Sequence, residues 1–293
     1  MSNVRDLRHA GAGEFWKVFE EVMAGEDGLM TYRYLGTRAE RVGGGWEGTM
    51  RIRRDMRNPA GGLLAAPLSI ALGDVGGIEG DAVSVPAPVM TSVHLLDPGT
   101  DVRAVRVRIE TPGHAGRTLS FSGSAAVVDA DDPDRVLAVT DGLGVRLAGV
   151  PASAEGGYRY VDPGPGVPDS PDLPPLAEAF GARRTTSGWE LPKLVGRIAS
   201  TSGSLHHGPT QVVLEAASLA LAAEAAGTDE LQVEEWTVMY RAAGRVGPFV
   251  TSGSVVGGRL GRYLARVRLT DEGSGGRLVA TALAAYRPGT SSG

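Results

Sequence analysis

Two stretches of the chain are apolar or small at nearly every position. They are LLAAPLSIALGD, residues 63–74, and PTQVVLEAASLALAAEAA, residues 209–226. A helix that is apolar all round is enclosed by other structure. Proline fits the first turn of a helix, because the amide that it lacks has no partner there. The pattern therefore predicts two enclosed helices that begin near Pro67 and Pro209.

Other segments alternate apolar residues with arginine or other polar residues. The clearest are VRAVRVRI, Val102 to Ile109, and YLARVRLTD, Tyr263 to Asp271. Alternation with a period of two is typical of antiparallel strands with one face in water. The turn-forming stretches DADDPDR, residues 129–135, and DEGSGGR, residues 271–277, predict hairpins between the last two strands of each half.

The same order of elements occurs twice, at a nearly constant distance along the chain. Trp46 and Trp189 are 143 residues apart, and the two helix-starting prolines are 142 apart. The distance of 142 recurs where Asp129, Arg135 and Ala138 match Asp271, Arg277 and Ala280. Self-similarity in constant register predicts an internal duplication.

The duplication predicts two structural units. The first spans residues 1–149, and the second spans residues 177–288. Residues 150–176 are rich in proline and glycine, which predicts an extended linker. The last five residues, 289–293, are expected to be a disordered tail.

Composition and charge limit the partners and the catalytic groups that this protein can use. The net charge of −5 and the pI near 5.6 give no electrostatic reason to bind nucleic acid or an anionic membrane. The chain has no cysteine, which excludes disulfides, thiolate metal sites and a cysteine nucleophile. No histidine and carboxylate set has metal-ligand spacing. Without a signal-peptide or membrane-span pattern, we expect a cytoplasmic protein.

The predicted unit, a long antiparallel sheet wrapped around one apolar helix, resembles the hotdog fold. The sequence is similar to the double-hotdog relatives of the PaaI-like acyl-CoA thioesterases. The resemblance implies an α+β fold with two hotdog units in tandem. The segments that carry the resemblance are NPAGG (58–62), LGD (72–74), HHGP (206–209), YRAAGRVGP (240–248), and GRLGRYLARVRLTD with GRLVATALAAY (258–286).

The family motif looks like N-x-x-G-x-x-H-G-G, with a carboxylate nine residues after the histidine. In the second copy, Ser200, Gly203 and His206 keep this spacing and Glu215 follows at nine. In the first copy Asn58 and Gly61 fit, but the histidine is replaced by Leu64 or Ala65. Asp74 comes nine residues after Ala65, which predicts one extra residue in the first loop.

The resemblance implies that each site combines the loop of one copy with the helix carboxylate of the other. We therefore predict one working site, in which Asp74 is the general base or nucleophile opposite His206 and His207. The N–H of Gly208, at a helix N-terminus, would bind the oxyanion. Ser92, 18 residues after Asp74, or its neighbour Thr91 would assist, and Thr210 would contact substrate.

The other pocket would combine Asn58 and the Ala65–Ala66 loop with Glu215. The position 18 residues after Glu215, where a Ser or Thr would assist the carboxylate, holds Val233. We therefore predict that this pocket is degenerate or weaker. Structural interpretations remain open: Asp74 could end its helix, Glu215 could be a hydrogen-bonded core residue, and one of the paired histidines could only pack.

Four arginines before Asn58 could meet the phosphates of CoA, or could form a solvated strand face. They are Arg51, Arg53, Arg54 and Arg57. His94 and His114 are isolated and are interpreted as ordinary strand or loop residues.

These observations favour hydrolysis of an acyl-CoA or acyl-carrier thioester. One alternative is a hydratase or dehydratase of acyl thioesters with His207 and Asp74 as the acid/base pair. Another is a non-catalytic acyl-CoA binder. CoA enters as part of the substrate, and no further cofactor is expected. The resemblance to hotdog proteins implies a homo-oligomer, and the net charge gives no reason to expect nucleic-acid or membrane partners.

Overall fold

The computed structural model describes residues 4–11, 13–25, 28–78, 84–111, 120–150, 160–186, 188–256 and 258–289. His114, residues 151–159 of the predicted linker and residues 290–293 of the predicted tail lie outside these ranges. Within them, no helix combines the length and the apolarity needed to cross a bilayer.

The described strands form one antiparallel sheet of twelve, in the order β1-β2-β4-β5-β6-β3-β9-β12-β11-β10-β8-β7. The order of the first six is mirrored by the last six, and β3 pairs with β9 where the two copies meet. The first-copy strands are β1 Arg38–Val42, β2 Gly45–Arg51, β3 Ser84–Leu95, β4 Ala104–Thr111, β5 Ser120–Asp129 and β6 Val136–Gly149. The second-copy strands are β7 Arg183–Thr185, β8 Gly188–Leu191, β9 Leu231–Tyr240, β10 Phe249–Val255, β11 Tyr263–Asp271 and β12 Arg277–Pro288.

Both predicted hairpins join the strands that they were expected to join, β5 to β6 and β11 to β12. The second alternating segment is β11, with the predicted bounds. The first alternating segment is β4, which begins two residues later than predicted, at Ala104. The backbone N–H of Val102 donates to the carbonyl of Gly99, so Val102 still belongs to the preceding turn.

The helices of the described chain are α1 Phe15–Ala24, α2 Ala65–Gly76, α3 Leu176–Ala179 and α4 His207–Ala226. A π-helical turn spans Thr31–Leu35. As predicted, α2 and α4 are the two enclosed helices, and their apolar side chains share one core with the inner face of the sheet. The two helices pack against each other, and this contact positions the candidate site.

The two loops that precede these helices have the same length, so the predicted extra residue in the first loop is wrong. Leu64 and His206 are the helix N-caps, with φ/ψ of −74°/146° and −71°/154°. Gly61 and Gly203 both have positive φ, at 81° and 65°. With the loops in constant register at 142 residues, the position that corresponds to Glu215 is held by Gly73 rather than Asp74.

Candidate active site

The side chain of Glu215 lies at the N-terminus of α2. Its two carboxylate oxygens accept hydrogen bonds from the backbone N–H groups of Ala65 and Ala66, at 2.7 and 2.8 Å. These amides have no partner within their own helix, and the helix dipole favours a negative charge there. Glu215 is 2% exposed. Burial raises its pKa to about 7, against the opposing effect of the two backbone hydrogen bonds.

A cavity of about 1030 Å³ lies beside this carboxylate. Its apolar wall includes Val212, Ala216 and Ala220, which follow one face of α4. The first-copy loop forms another part of the wall through Asn58 and Leu64. Glu215 is therefore a buried carboxylate at the edge of a large, mostly apolar cavity.

Asn58 holds the loop that borders the cavity. Its Oδ1 accepts a hydrogen bond from the N–H of Gly62 at 3.0 Å, and its Nδ2 donates to Oε1 of Gln232 at 3.1 Å. Gln232 also donates to the carbonyl of Ala60 at 3.2 Å. These bonds fix the loop against β9, so the side chain of Asn58 positions the cavity wall.

Asp74 and His207 lie at the opposite end of the contact between α2 and α4. Nε2 of His207 is 3.7 Å from Oδ1 of Asp74, so the structure brings this predicted pair together without a direct hydrogen bond. The imidazole packs on Gly73, where an added Cβ would be 3.1 Å from Nε2. The ring thus lies against the position that carries a carboxylate in the second copy.

His206 caps α4 rather than facing an open pocket. Its Nδ1 accepts a hydrogen bond from the N–H of Gly208 at 3.2 Å and lies 3.0 Å from Oγ1 of Thr31. Burial lowers the pKa of both histidines, that of His207 to about 4, so both rings are neutral at pH 7. The N–H of Gly208, predicted to bind an oxyanion, is used by the cap. Thr210 donates to the carbonyl of His206 at 2.9 Å, which is also a helix-end role.

The segment before β1 covers this end of the molecule. The side chain of Thr31 packs directly on Gly208, and the Tyr32 ring lies 6.2 Å from that of His206. Further toward the N-terminus, the N–H of Leu7 donates to the carbonyl of Thr201 at 2.7 Å. This segment therefore covers His206 and Gly208 at the start of α4, next to His207, whereas Glu215 borders the cavity at the other end of the helix contact.

The register of β3 separates the two predicted helper residues. Val93 lies in the core opposite Trp236, and Ser92 pairs with Thr237. Because successive side chains of a strand point to opposite faces, Ser92 lies on the outer face, away from α2 and α4. Its prediction as a helper of Asp74 is wrong for this reason. Thr91 lies on the helix-facing side and is buried.

Most of the predicted phosphate-binding arginines already have partners. Arg53 forms a buried ion pair with Asp55 at 3.0 Å, and Arg54 lies 3.3 Å from Asp169. Arg57 donates to the carbonyls of Gly61 and Gly99 at 2.7 and 2.9 Å. Arg51 is exposed at the end of β2, and His94 is exposed on the outer face of β3, as expected for an ordinary strand histidine.

Sequence reasoning missed other polar groups near the candidate site. Gln232 gives no sequence signal, because its role depends on β9 passing beside the first-copy loop. Tyr286 forms a 2.6 Å hydrogen bond with Ser218, and burial, together with the nearby charge of Glu215, raises the pKa of this tyrosine. In the described ranges, no group of three or more histidine and carboxylate side chains could hold a metal ion.

Comparison with solved structures identifies the architecture. A TesB protein of Mycobacterium avium subspecies paratuberculosis has a TM-score of 0.59 at 14% identity, covering 85% of this chain and 94% of its own. The acyl-CoA thioesterase II TesB2 of Mycobacterium marinum has a TM-score of 0.52 at 14% identity, with coverage of 88% and 96%. A protein of unknown function with a hot dog fold, from Alicyclobacillus acidocaldarius, has a TM-score of 0.51 at 10% identity, with coverage of 85% and 94%.

A scan against protein-family models and a search of curated proteins found no match. The structural similarity extends over nearly the whole length of the solved chains, and the mirrored strand order contains two equivalent units. The chain therefore has a double hotdog fold.

Proposed function

We propose that this protein hydrolyses acyl-CoA or acyl-carrier thioesters, with Glu215 as the general base. The observation that carries the proposal is a buried carboxylate with a pKa of about 7, held at a helix N-terminus beside a large apolar cavity. A base is most effective when its pKa is close to the working pH. The structure from Mycobacterium marinum is named an acyl-CoA thioesterase, which supports the same chemistry.

In the proposed reaction, Glu215 removes a proton from a water molecule as the water oxygen attacks the thioester carbonyl. The carbonyl oxygen becomes an oxyanion. When that intermediate collapses, the C–S bond breaks, the carboxylic acid is released, and the proton held by Glu215 passes to the leaving thiolate. Atoms and charge balance without another reactant.

The N–H groups of Ala65 and Ala66 are the proposed oxyanion donors. In the resting enzyme they hold the carboxylate of Glu215. Protonation of that carboxylate weakens it as an acceptor, at the same moment as negative charge develops on the substrate oxygen. The two amides can then transfer to the oxyanion. Such preorganised donors supply much of the barrier reduction in acyl transfer.

This proposal changes the predicted site from Asp74 to Glu215. Asp74 lies beside a neutral histidine, and the nearby N–H of Gly208 already has an acceptor. The cavity, the two helix amides and the high carboxylate pKa all occur at the other end of the helix contact. Of the two pockets, the one that the sequence predicted to be degenerate or weaker is thus the better candidate for the active site.

Activity is expected to rise with pH, because the base form of Glu215 is required. The ionised fraction increases through the pKa of about 7, so kcat/KM for an acyl-CoA should be half-maximal near pH 7 and level off above it. The measurement is hydrolysis of an acyl-CoA series, followed with a thiol reagent at several pH values. An enoyl-CoA in the same series reports hydration through loss of its conjugated absorbance. Absence of thioester cleavage at every chain length would refute the proposal, and activity that falls from pH 6 to pH 8 would exclude Glu215 as its base.

A further inference from the structure

Two side chains at the cavity carry polar groups that have no hydrogen-bond partner among the described residues. Arg184 and Trp189 are direct cross-strand neighbours in the β7–β8 hairpin, and both line the cavity. Arg184 is exposed, and its guanidinium has no hydrogen bond or ion pair with any residue in the described ranges. Nε1 of Trp189 is buried and has no acceptor within those same ranges.

The neighbouring cations are already engaged. Arg54 and Arg57 also border the cavity, but one faces Asp169 and the other is held by backbone carbonyls. Arg183 precedes Arg184 but points to the opposite side of its strand, where it meets Glu190 at 2.6 Å. Of the arginines considered, Arg184 is the one that combines a place on the cavity with a free guanidinium.

The first copy contains the same pair, and there it is covered. Arg41 and Trp46 are cross-strand neighbours in β1–β2, and the guanidinium lies 5.7 Å from the indole centroid. The ring of Tyr160 packs on Trp46 at 5.7 Å, and its hydroxyl accepts the N–H of Ala39 at 2.8 Å. The chain after the first unit thus closes this pair, whereas the second-copy pair borders the cavity that contains Glu215.

We propose that Arg184 and Trp189 bind the phosphopantetheine arm of the substrate, an inference that rests on the proposed function. Arg184 pairs with the phosphate, because its planar guanidinium matches phosphate oxygens in two-point hydrogen bonding. Trp189 forms the adjoining wall, and its N–H donates to an amide carbonyl of the pantetheine. The arm then reaches the thioester beside Glu215. Phosphopantetheine is common to CoA and to carrier proteins, so both remain sources of the substrate.

The test compares Arg184→Gln with Arg183→Gln, a matched variant in the same hairpin. For acyl-CoA we expect Arg184→Gln to raise KM about tenfold with kcat unchanged, as loss of one charge-assisted contact predicts. Arg183→Gln should match the wild type. For acyl-pantetheine, which lacks the phosphate, Arg184→Gln should change nothing. Trp189→Phe should raise KM severalfold for both substrates, because both contain the amide carbonyl.

Binding of free CoA, measured by calorimetry, separates this inference from the proposed function. Weaker CoA binding by Arg184→Gln, but not by Arg183→Gln, supports the binding site even if no thioester is cleaved. Equal binding by the two variants, or an equal effect of Arg184→Gln on acyl-CoA and acyl-pantetheine, overturns it while leaving hydrolysis at Glu215 intact. An acyl-carrier protein tested beside acyl-CoA identifies the source, since the larger effect of Arg184→Gln marks the natural donor.

Discussion

Replacing Glu215 with glutamine is expected to lower kcat for acyl-CoA hydrolysis by about a thousandfold, the usual effect of removing a general base. Glutamine has almost the same shape, and its amide oxygen can still accept from one of the two N–H groups of Ala65 and Ala66. The fold should therefore persist, with a stability loss of about 1 kcal/mol for the other hydrogen bond. Steady-state kinetics and a thermal melt on the same preparation measure both effects.

Asp74→Asn is the matched control, because it makes the same chemical change in the other helix. Asp74 is buried beside His207 at the covered end of the helix contact, so we expect kcat within about threefold of the wild type. If Asp74→Asn lowers kcat by about a thousandfold and Glu215→Gln does not, catalysis takes place at the site predicted from the sequence, and the assignment to Glu215 is wrong.

Replacing Asp271 with alanine is expected to cost at least about 3 kcal/mol of unfolding free energy, because several polar groups lose their acceptor at once. The carboxylate is fully buried and accepts from the backbone N–H groups of Arg245, Val246 and Gly247. It also accepts from the hydroxyl of Ser274. It thus holds the chain between β9 and β10 against the end of β11. Urea unfolding measures the loss.

The repeat supplies a comparison, since Asp129 is the first-copy residue that corresponds to Asp271. Asp129 accepts one backbone N–H, from Asp131, and faces Arg135 at 3.4 Å. We expect Asp129→Ala to cost about 1–2 kcal/mol. Equal losses for the two variants would contradict the account of Asp271, because the number of amides held would then not determine the cost.

The same contacts predict a pH effect on stability. Burial raises the pKa of Asp271, but its hydrogen bonds outweigh burial, so its pKa lies below the ordinary value of 3.8. A lowered folded-state pKa stabilises the protein above the unfolded-state pKa, and this contribution is lost as the pH falls through the folded value. In Asp271→Ala the decrease of stability below pH 4 should therefore be shallower than in the wild type.

The duplication and the enclosed helices could be predicted from the sequence because both depend on local pattern. Pro67 and Pro209 mark the starts of two helices whose apolar residues leave no solvent face. Strand periodicity located β11 to the residue. A long antiparallel sheet with one buried helix per unit resembles the hotdog fold, so the resemblance supplied the arrangement of these elements.

The choice between the two carboxylates could not be made from spacing. Counting nine residues from Ala65 reached Asp74, but the constant loop length makes Gly73 the counterpart of Glu215. What excludes an open pocket at His206 is the packing of Thr31, 175 residues away in sequence. Such a contact depends on how the N-terminal segment folds back, and no local pattern encodes it.

The predictions of the helper residue and of the phosphate-binding arginines also depended on tertiary structure that no local pattern encodes. Ser92 and Thr91 are adjacent, and only the strand register decides which of them faces the helices. Arg53 and Arg57 looked available in a basic stretch, yet tertiary contacts with Asp55 and with backbone carbonyls engage them. Arg184 has no distinguishing neighbours in sequence and is identified by the partners that it lacks among the described residues.

The most direct test of the account is a crystal structure with a thioether analogue of an acyl-CoA, which binds as the substrate does but has no carbonyl carbon to attack. We predict that its sulfur lies in the cavity beside the carboxylate of Glu215, with the phosphate of the pantetheine arm at Arg184. A sulfur positioned between Asp74 and His207 would contradict the account.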